Sequence, residues 1–495
     1  MSSERARRAM ARRMAGSLSL LALAVAAPAA AESLKGALSK AYVSNPTLTA
    51  ARANQMATDE NVPIQRAAGL PSATITSTFN ENILIPGGQF VIIPRTLQSQ
   101  GQLNVPIYQG GTVRNNIKAA DARVAAGAET LRGTESSVFS QVVAAYNDVL
   151  RDMAIVEFNR ANVKNLEVNL RATRDRFEVG DLTRTDVAQS EARLSQAQAD
   201  LRNAEANLIG AKERYIQQVG EPPETLDAPP PLPGLPASVD EALDVALKEN
   251  PDIAAALKNM EAAGFDVKSA RGGRLPTLSG FGTFNRSDNF GGARAQVPIN
   301  IPSTQESAVL GAQLSIPVFQ GGRPAAQIRQ AQARQQAAME NHIATERSVV
   351  QQVRAAFASW KASLDVIKSA EAAIAANSLS LEGVRAENSV GNRTIIEVLN
   401  AEQELINARV QLATARRNAY VAGFTLLAAM GSAEARDLGL DDVAIYNPAD
   451  NYRQVRRDIF DWSSRAAPTI KATRTTGTPA QDASVTPSAA GQPQD

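Results

Sequence analysis

Apolar residues alternate with polar ones at Leu103, Val105 and Ile107, and again at Leu310, Ala312, Leu314, Ile316 and Val318. A period of two marks a strand with two unlike faces. Each run ends in nearly the same seven residues. Val105-Pro106-Ile107-Tyr108-Gln109-Gly110-Gly111 returns as Ile316-Pro317-Val318-Phe319-Gln320-Gly321-Gly322, 211 positions on. A long proline-poor stretch rich in Ala, Gln and Arg follows each copy and predicts helix. Pro106 and Pro317 cannot donate to a ladder and suit a strand end. The pairs Gly110-Gly111 and Gly321-Gly322 stand where the period changes from two to about 3.6. The pattern therefore predicts a joint at which a strand runs directly into a long helix, made twice.

The stretches ahead of the joints repeat as well. Ser33–Asn45 and Ser238–Asn250 both carry apolar positions at helical spacing. Asn45-Pro46 and Asn250-Pro251 then each combine a capping residue with a proline preset for a first turn. A helix is expected from there to Gly69, and in the second copy to about Gly273. Ala73, Ile75 and Phe79 alternate with threonines, and Leu278, Gly280, Gly282 and Phe284 hold the same phase. Turn residues follow at Pro86-Gly87-Gly88, at Asp288-Asn289 and at Gly291-Gly292. The outcome is two hairpins of strands about 9–11 residues long, enough to cross a bilayer when tilted.

A heptad seam runs through the first long helix, Thr112–Val179, at Val149, Val156, Val163, Leu170 and Phe177. The next helix, Arg184–Val219, carries Val187, Leu194, Leu201, Leu208 and Tyr215 seven apart, with Ala197, Ala204 and Ala211 between. Val398, Leu405, Leu412, Ala419 and Leu426 repeat the scheme. At about 1.5 Å per residue the long helix spans roughly 100 Å. Two shorter helices stacked end to end nearly match it, which predicts a palisade of uniform height.

The predicted organisation is a targeting segment at 1–31, a first repeat at 32–220 and a Pro-rich linker at 221–237. A second repeat follows at 238–432, then a segment packing on the helices at 433–468 and a disordered tail at 469–495. The targeting assignment rests on five early arginines, a short apolar run at Leu18–Ala27, and Ala29-Ala30-Ala31 as a cleavage site. A membrane anchor is a poor alternative, because the run is too short to span. Zero cysteines and the single His342 exclude disulfide frameworks, thiolate metal sites and Cys nucleophiles. His342 reads as a helix-surface residue. No enzyme motif, cofactor site or metal cluster is evident. The formal charge of +1 becomes −3 without residues 1–31, so nucleic acid has no basic footprint. No later segment is long and apolar enough for a spanning helix. Strands placed in lipid leave open edges unless sister copies share them.

The duplicated set of Val-Pro-x-x-Gln-Gly-Gly joints, with Val179-Gly180 and Val390-Gly391-Asn392-Arg393-Thr394 ahead of heptads, resembles the TolC-like outer-membrane efflux family over residues 33–465. The resemblance implies a mainly α fold with a membrane β part. A homotrimeric twelve-stranded β-barrel would continue as a periplasmic α-helical barrel. It implies an export duct in the outer membrane for drug efflux or type I secretion. The implied partners are outer-membrane lipid, a periplasmic adaptor and an inner-membrane pump or ABC transporter. A non-conducting periplasmic coiled-coil scaffold or adaptor is the alternative. Thr183 with Asp186 and Thr394 with Glu397 have capping-box spacing. By resemblance Glu397 and Asn400 form an aperture ring, and Arg393 latches to the neighbouring Thr185 and Asp186. The tip turns Gly180-Asp181 and Gly391-Asn392 meet the adaptor. Neutral Asn400 stands where an acid is common, which lowers the expected ring charge. Asn388 stands where some members have a latch tyrosine.

Overall fold

The computed structural model describes residues 32–83, 91–291, 294–295, 302–440 and 442–485. The targeting segment, the turn residues Pro86, Gly87, Gly88 and Gly292, and residues 486–495 lie outside them. Ten helices are described: α1 (Leu34–Ser44), α2 (Pro46–Asp59), α3 (Asn61–Ala67), α4 (Thr112–Glu178), α5 (Arg184–Val219), α6 (Val239–Glu249), α7 (Pro251–Gly272), α8 (Arg323–Ser389), α9 (Ile395–Met430) and α10 (Pro448–Val455). The strands are β1 (Ser72–Glu81), β2 (Val91–Ile92), β3 (Arg95–Gln109), β4 (Thr277–Phe290), β5 (Arg294–Ala295) and β6 (Thr304–Ser315).

The chain is built twice. Both α4 and α8 are 67 residues long, and both α5 and α9 are 36. Toward the tip, α4 lies between α5 and α9, and α8 lies beyond α9. Toward the sheet, α4 lies between α2–α3 and α7, with α8 again beyond. This is the palisade that the lengths predict.

One local device splices each stacked pair. Asn45 caps α2, its Oδ1 accepting from Thr47 N at 2.9 Å, while its Nδ2 donates to Gln218 O at 2.9 Å in the last turn of α5. Asn250 caps α7 and donates to Ala429 O of α9 at 2.9 Å. A single side chain thus satisfies an orphan amide of the upper helix and an orphan carbonyl of the lower one.

The first stacked helix is not continuous, contrary to expectation. It breaks at Glu60 into α2 and α3. Pro63 is the cause, since it has no N–H for the Asp59 carbonyl and its ring crowds that turn. The buried Asp59 carboxylate accepts from Gln55 Nε2 at 2.9 Å and from Asn451 of α10, pinning the break to the C-terminal segment.

The main core lies midway along the palisade, where α1, α4, α5, the linker and the residues after α9 converge. Tyr42, Phe139, Tyr146, Tyr215 and Phe424 are all at most 2 % exposed there. The Tyr146 hydroxyl lies 2.8 and 2.7 Å from the carbonyl oxygens of Glu32 and Asp227, donating to one at a time. This holds the start of the first repeat against the linker. The α5 seam is closed at Leu208 and Tyr215 but only half-buried at Leu201 and Leu194, so single-chain burial fades toward the tip.

Candidate functional site

The four long strands form one antiparallel sheet in the order β1-β3-β4-β6. They are 10 to 15 residues long, somewhat longer than the sequence suggests. Pairing of Ile75 with Gly101, of Gly101 with Phe284 and of Phe284 with Ala308 places these residues on one face. Phe79, Leu97, Leu103, Leu310 and Leu314 share it. On the opposite face stand Thr74, Thr76, Gln98, Gln100, Gln102, Asn104, Thr283 and Asn285. One face therefore suits hydrocarbon and the other water, the division of a transmembrane barrel wall. The large apolar side chains stand free in the single chain, Ile75 at 82 % and Leu310 at 86 % exposure. Among the described residues β1 and β6 are edge strands, each paired on one side only.

The two joints differ. Tyr108 and Gln109 stay paired with Leu278 and Thr277 across a bulge at Ile107, so β3 runs up to Gly110. The second copy leaves the ladder at Ser315, and Ile316–Gln320 belong to no strand among the described residues. The reason is topological: β3 is a central strand and β6 an edge. Gly110, Gly111, Gly321 and Gly322 all have positive φ, between 57° and 80°. Gly111 and Gly322 occupy the N-cap positions of α4 and α8, in left-handed backbone that any side chain would strain.

At the opposite end two equivalent turns link α4 to α5 and α8 to α9. Gly180 and Gly391 have φ of 85° and 83°, and no atom lies within 4 Å of where a Cβ would stand. Backbone handedness alone demands glycine there. The amide of Asp181 bonds Arg176 O and that of Asn392 bonds Glu387 O, both at 2.9 Å. Both capping boxes are formed. Asp186 accepts from Thr183 N at 2.9 Å and from its hydroxyl at 2.7 Å, which holds its carboxyl below the usual range. Glu397 accepts from Thr394 N and Oγ1, each at 2.9 Å.

Arg393 is bound within its own hairpin, with Nε 2.6 Å from Glu387 and Nη1 2.6 Å from Glu397. No bond joins it to Asp186 or Thr185 of the same chain among the described residues. Asn388 Nδ2 donates to Arg393 O at 2.7 Å. The Thr394 amide first, then Arg393 and the Thr394 hydroxyl, lower the Glu397 pKa to about 2. Asn400 accepts from Arg193 of α5 at 2.6 Å, a bond between the two halves.

One residue of this region escaped sequence reasoning. Glu402 is 5 % exposed, with Arg385 at 2.6 Å and Asn169 Nδ2 at 3.3 and 3.2 Å from its two oxygens. The signal was present: the 211-residue shift maps Arg385 and Glu402 onto Arg174 and Glu191, which pair at 2.7 Å. The Arg174–Glu191 pair is exposed, whereas Glu402 is covered by Asn169 of α4, so only the Arg385–Glu402 pair is a structural lock.

A two-faced sheet with open edges, feeding helices about 100 Å long, defines one wall segment of a membrane barrel prolonged as a helical tube. The model of the outer membrane efflux protein family matches residues 37–221 and 242–432, and the chain belongs to that family. It is 35 % identical to the outer membrane efflux protein BepC of Brucella suis, over 87 % of this chain and 92 % of that one. Identity to the outer membrane protein TolC of Escherichia coli is 28 %, covering 82 % and 84 %. The CmeC outer membrane channel of Campylobacter jejuni superposes with a TM-score of 0.71 at 16 % identity, covering 86 % and 89 %. The protein is an outer-membrane efflux channel that reaches into the periplasm, and not an enzyme. This replaces the scaffold alternative.

Proposed function

We propose that three copies close a twelve-stranded barrel, β6 of each pairing with β1 of the next, and that the joined palisades form one periplasmic tube. The observation carrying this reading is the sheet of four strands with two free edges. Four strands cannot close, and an open edge in lipid leaves backbone groups unsatisfied. Family membership supports the trimer and its work within a tripartite export system. The tip turns at Gly180-Asp181 and Gly391-Asn392 are where a periplasmic adaptor meets the tube, with an inner-membrane pump beyond it.

Glu397 supplies the charge at the tube's end and Asn400 its neutral rim. Arg393 holds Glu397 and Glu387 in place, and across the trimer interface it faces Thr185 and Asp186 of the next copy. Removing Arg393 loosens the tip, so Arg393→Ala raises single-channel conductance in a planar bilayer. Unchanged conductance would remove the latch from the account.

Cation preference should follow the protonation of Glu397. Its folded-state pKa, about 2, lies below that of a free carboxyl. The ionised, capped form is therefore retained above pH 4.5 and is lost as pH falls through about 2. Reversal potentials should show cation preference holding to about pH 3, and Glu397→Gln should abolish the titration. Arg393→Ala should shift the midpoint upward only partly, because the Thr394 amide remains. A midpoint near the free-carboxyl value in the intact channel would contradict this.

A further inference from the structure

The loop that follows α10 exposes three large apolar side chains within four residues. Ile459, Phe460 and Trp462 are 68, 67 and 86 % exposed. The loop is nevertheless knotted. Asp458 N bonds Val455 O at 3.0 Å, and Ser463 N bonds Phe460 O at 3.0 Å. The Asp458 carboxylate accepts from Phe460 N at 3.0 Å and from Ser463 Oγ at 2.7 Å. The polar groups are tied to one another, and the apolar side chains are left in the open. An ordered apolar patch of this kind marks a contact surface.

Its height on the palisade indicates what it touches. Tyr452 of α10 packs on Val62 of α3 and on Ala120 and Val124 of α4, so α10 lies over the groove between those two helices. It climbs toward the sheet. Asn451 Nδ2 donates to Asp59, and five residues on the Arg456 carbonyl accepts from Arg66 Nη1 at 3.4 Å. Gly69 then lies against Val113 in the first turn of α4, which puts Arg66 about 5 Å from the strand-to-helix joint. The chain next turns back, and Arg465 donates to Asn451 Oδ1 at 2.6 Å and to Glu60 Oε1 at 3.0 Å. Residues 457–464 are therefore the crest of this excursion, at the level where the apolar sheet face begins. Tyr108, Val318 and Phe319 stand exposed at the joints on that level.

Two other occupants fit poorly. A segment over the groove between two wall helices lies on the inner or outer face of the wall, and an export duct keeps its inner face clear. The next copy's α8 offers no apolar cover, because residues 323–338 expose no large apolar side chain.

We infer that the 457–464 crest is a membrane-interface anchor whose partner is the periplasmic leaflet of the outer membrane. The inference rests on the outer-membrane duct and adds to it a lipid contact outside the barrel. Phe460 and Trp462 enter the headgroup region, the boundary at which tryptophan is enriched. Residues 453–465 hold four arginines and two aspartates, a net of +2, and Arg456 and Arg457 beside the crest meet the lipid phosphates.

Tryptophan emission tests this in the full-length protein, which has only two tryptophans. Trp360 lies far along α8, which starts at Arg323, so it is about 55 Å from the joint and out of reach of the bilayer. The protein is reconstituted into phosphatidylethanolamine–phosphatidylglycerol vesicles that carry a nitroxide-labelled phospholipid, and conductance of the same preparation verifies insertion. A nitroxide near the headgroup should quench roughly twofold more than one at the chain end, as for a group held about 5–10 Å deep. Trp462→Phe should abolish quenching by both labels. Wild-type emission untouched by either label would overturn the anchor. Quenching by aqueous iodide would then show a bare loop, and protection from iodide a cover supplied by a neighbouring copy. With conductance intact, both of those results would leave the duct standing.

Discussion

Replacing Gly431 with valine should abolish the folded protein at moderate temperature. Gly431 closes α9 with φ of 81°, and a Cβ there would lie 2.5 Å from Glu249 O and 2.7 Å from Glu249 C. Both atoms are backbone at the end of α6, directly before the Asn250 splice, so no side chain can swing away. A left-handed non-glycine residue costs about 1–2 kcal/mol by itself, and a β-branched one more. Separating the splice adds the loss of the Asn250–Ala429 bond, about 1 kcal/mol, and of packing around Met430. Together these reach the upper range of single-residue effects, roughly 4 kcal/mol or above. Gly383→Ala is the control. Gly383 lies inside α8 with no atom within 4 Å of the added methyl, so it should stabilise by about 0.5–1 kcal/mol. Thermal unfolding of both variants checks the pair. A Gly431→Val protein that melts with the wild type would show that the two stacked helices are not spliced there.

The second large effect concerns the two faces of the sheet. Leu310 lies in β6 opposite Gly282, on the face of Ile75 and Phe284. Leu310→Arg would place a cation in hydrocarbon, at a cost of about 2–4 kcal/mol near the midplane of a membrane barrel. Gln102→Arg, on the opposite face, should fold and insert normally while altering conductance. The measurement is the fraction of each variant recovered folded in outer membranes. Equal recovery of both would mean that the apolar face does not meet lipid.

Much of this architecture can be read from the chain because it is written twice. The 211-residue shift aligns both joints, both tip glycines and both capping boxes. Thr-x-x-acid spacing is local, so Thr183–Asp186 and Thr394–Glu397 follow from sequence alone. Heptads at Leu208 and Leu405 fix which helix faces close. The contacts not foreseen depend on distance in sequence or on place in the sheet. Arg193 meets Asn400 from 207 residues away, with no local spacing to reveal it. Ser315 ends β6 because it lies on an edge, although its residues match those of the central β3. Pro63 is a local signal for the break at Glu60, because proline inside a helix removes one amide from the ladder. The C-terminal segment shows the limit of composition: a Thr-, Pro- and Ala-rich stretch lacks its own core, yet Lys212 and Arg160 donate to the carbonyl oxygens of Asp482, Ala483 and Ser484. What decides its order lies on another part of the fold.

The most direct test is to count copies in the detergent-solubilised, folded particle by native mass measurement. The account requires three chains, held together by barrel edges that no single copy can satisfy. A stable, fully folded single chain with its hairpins outside the detergent belt would contradict it.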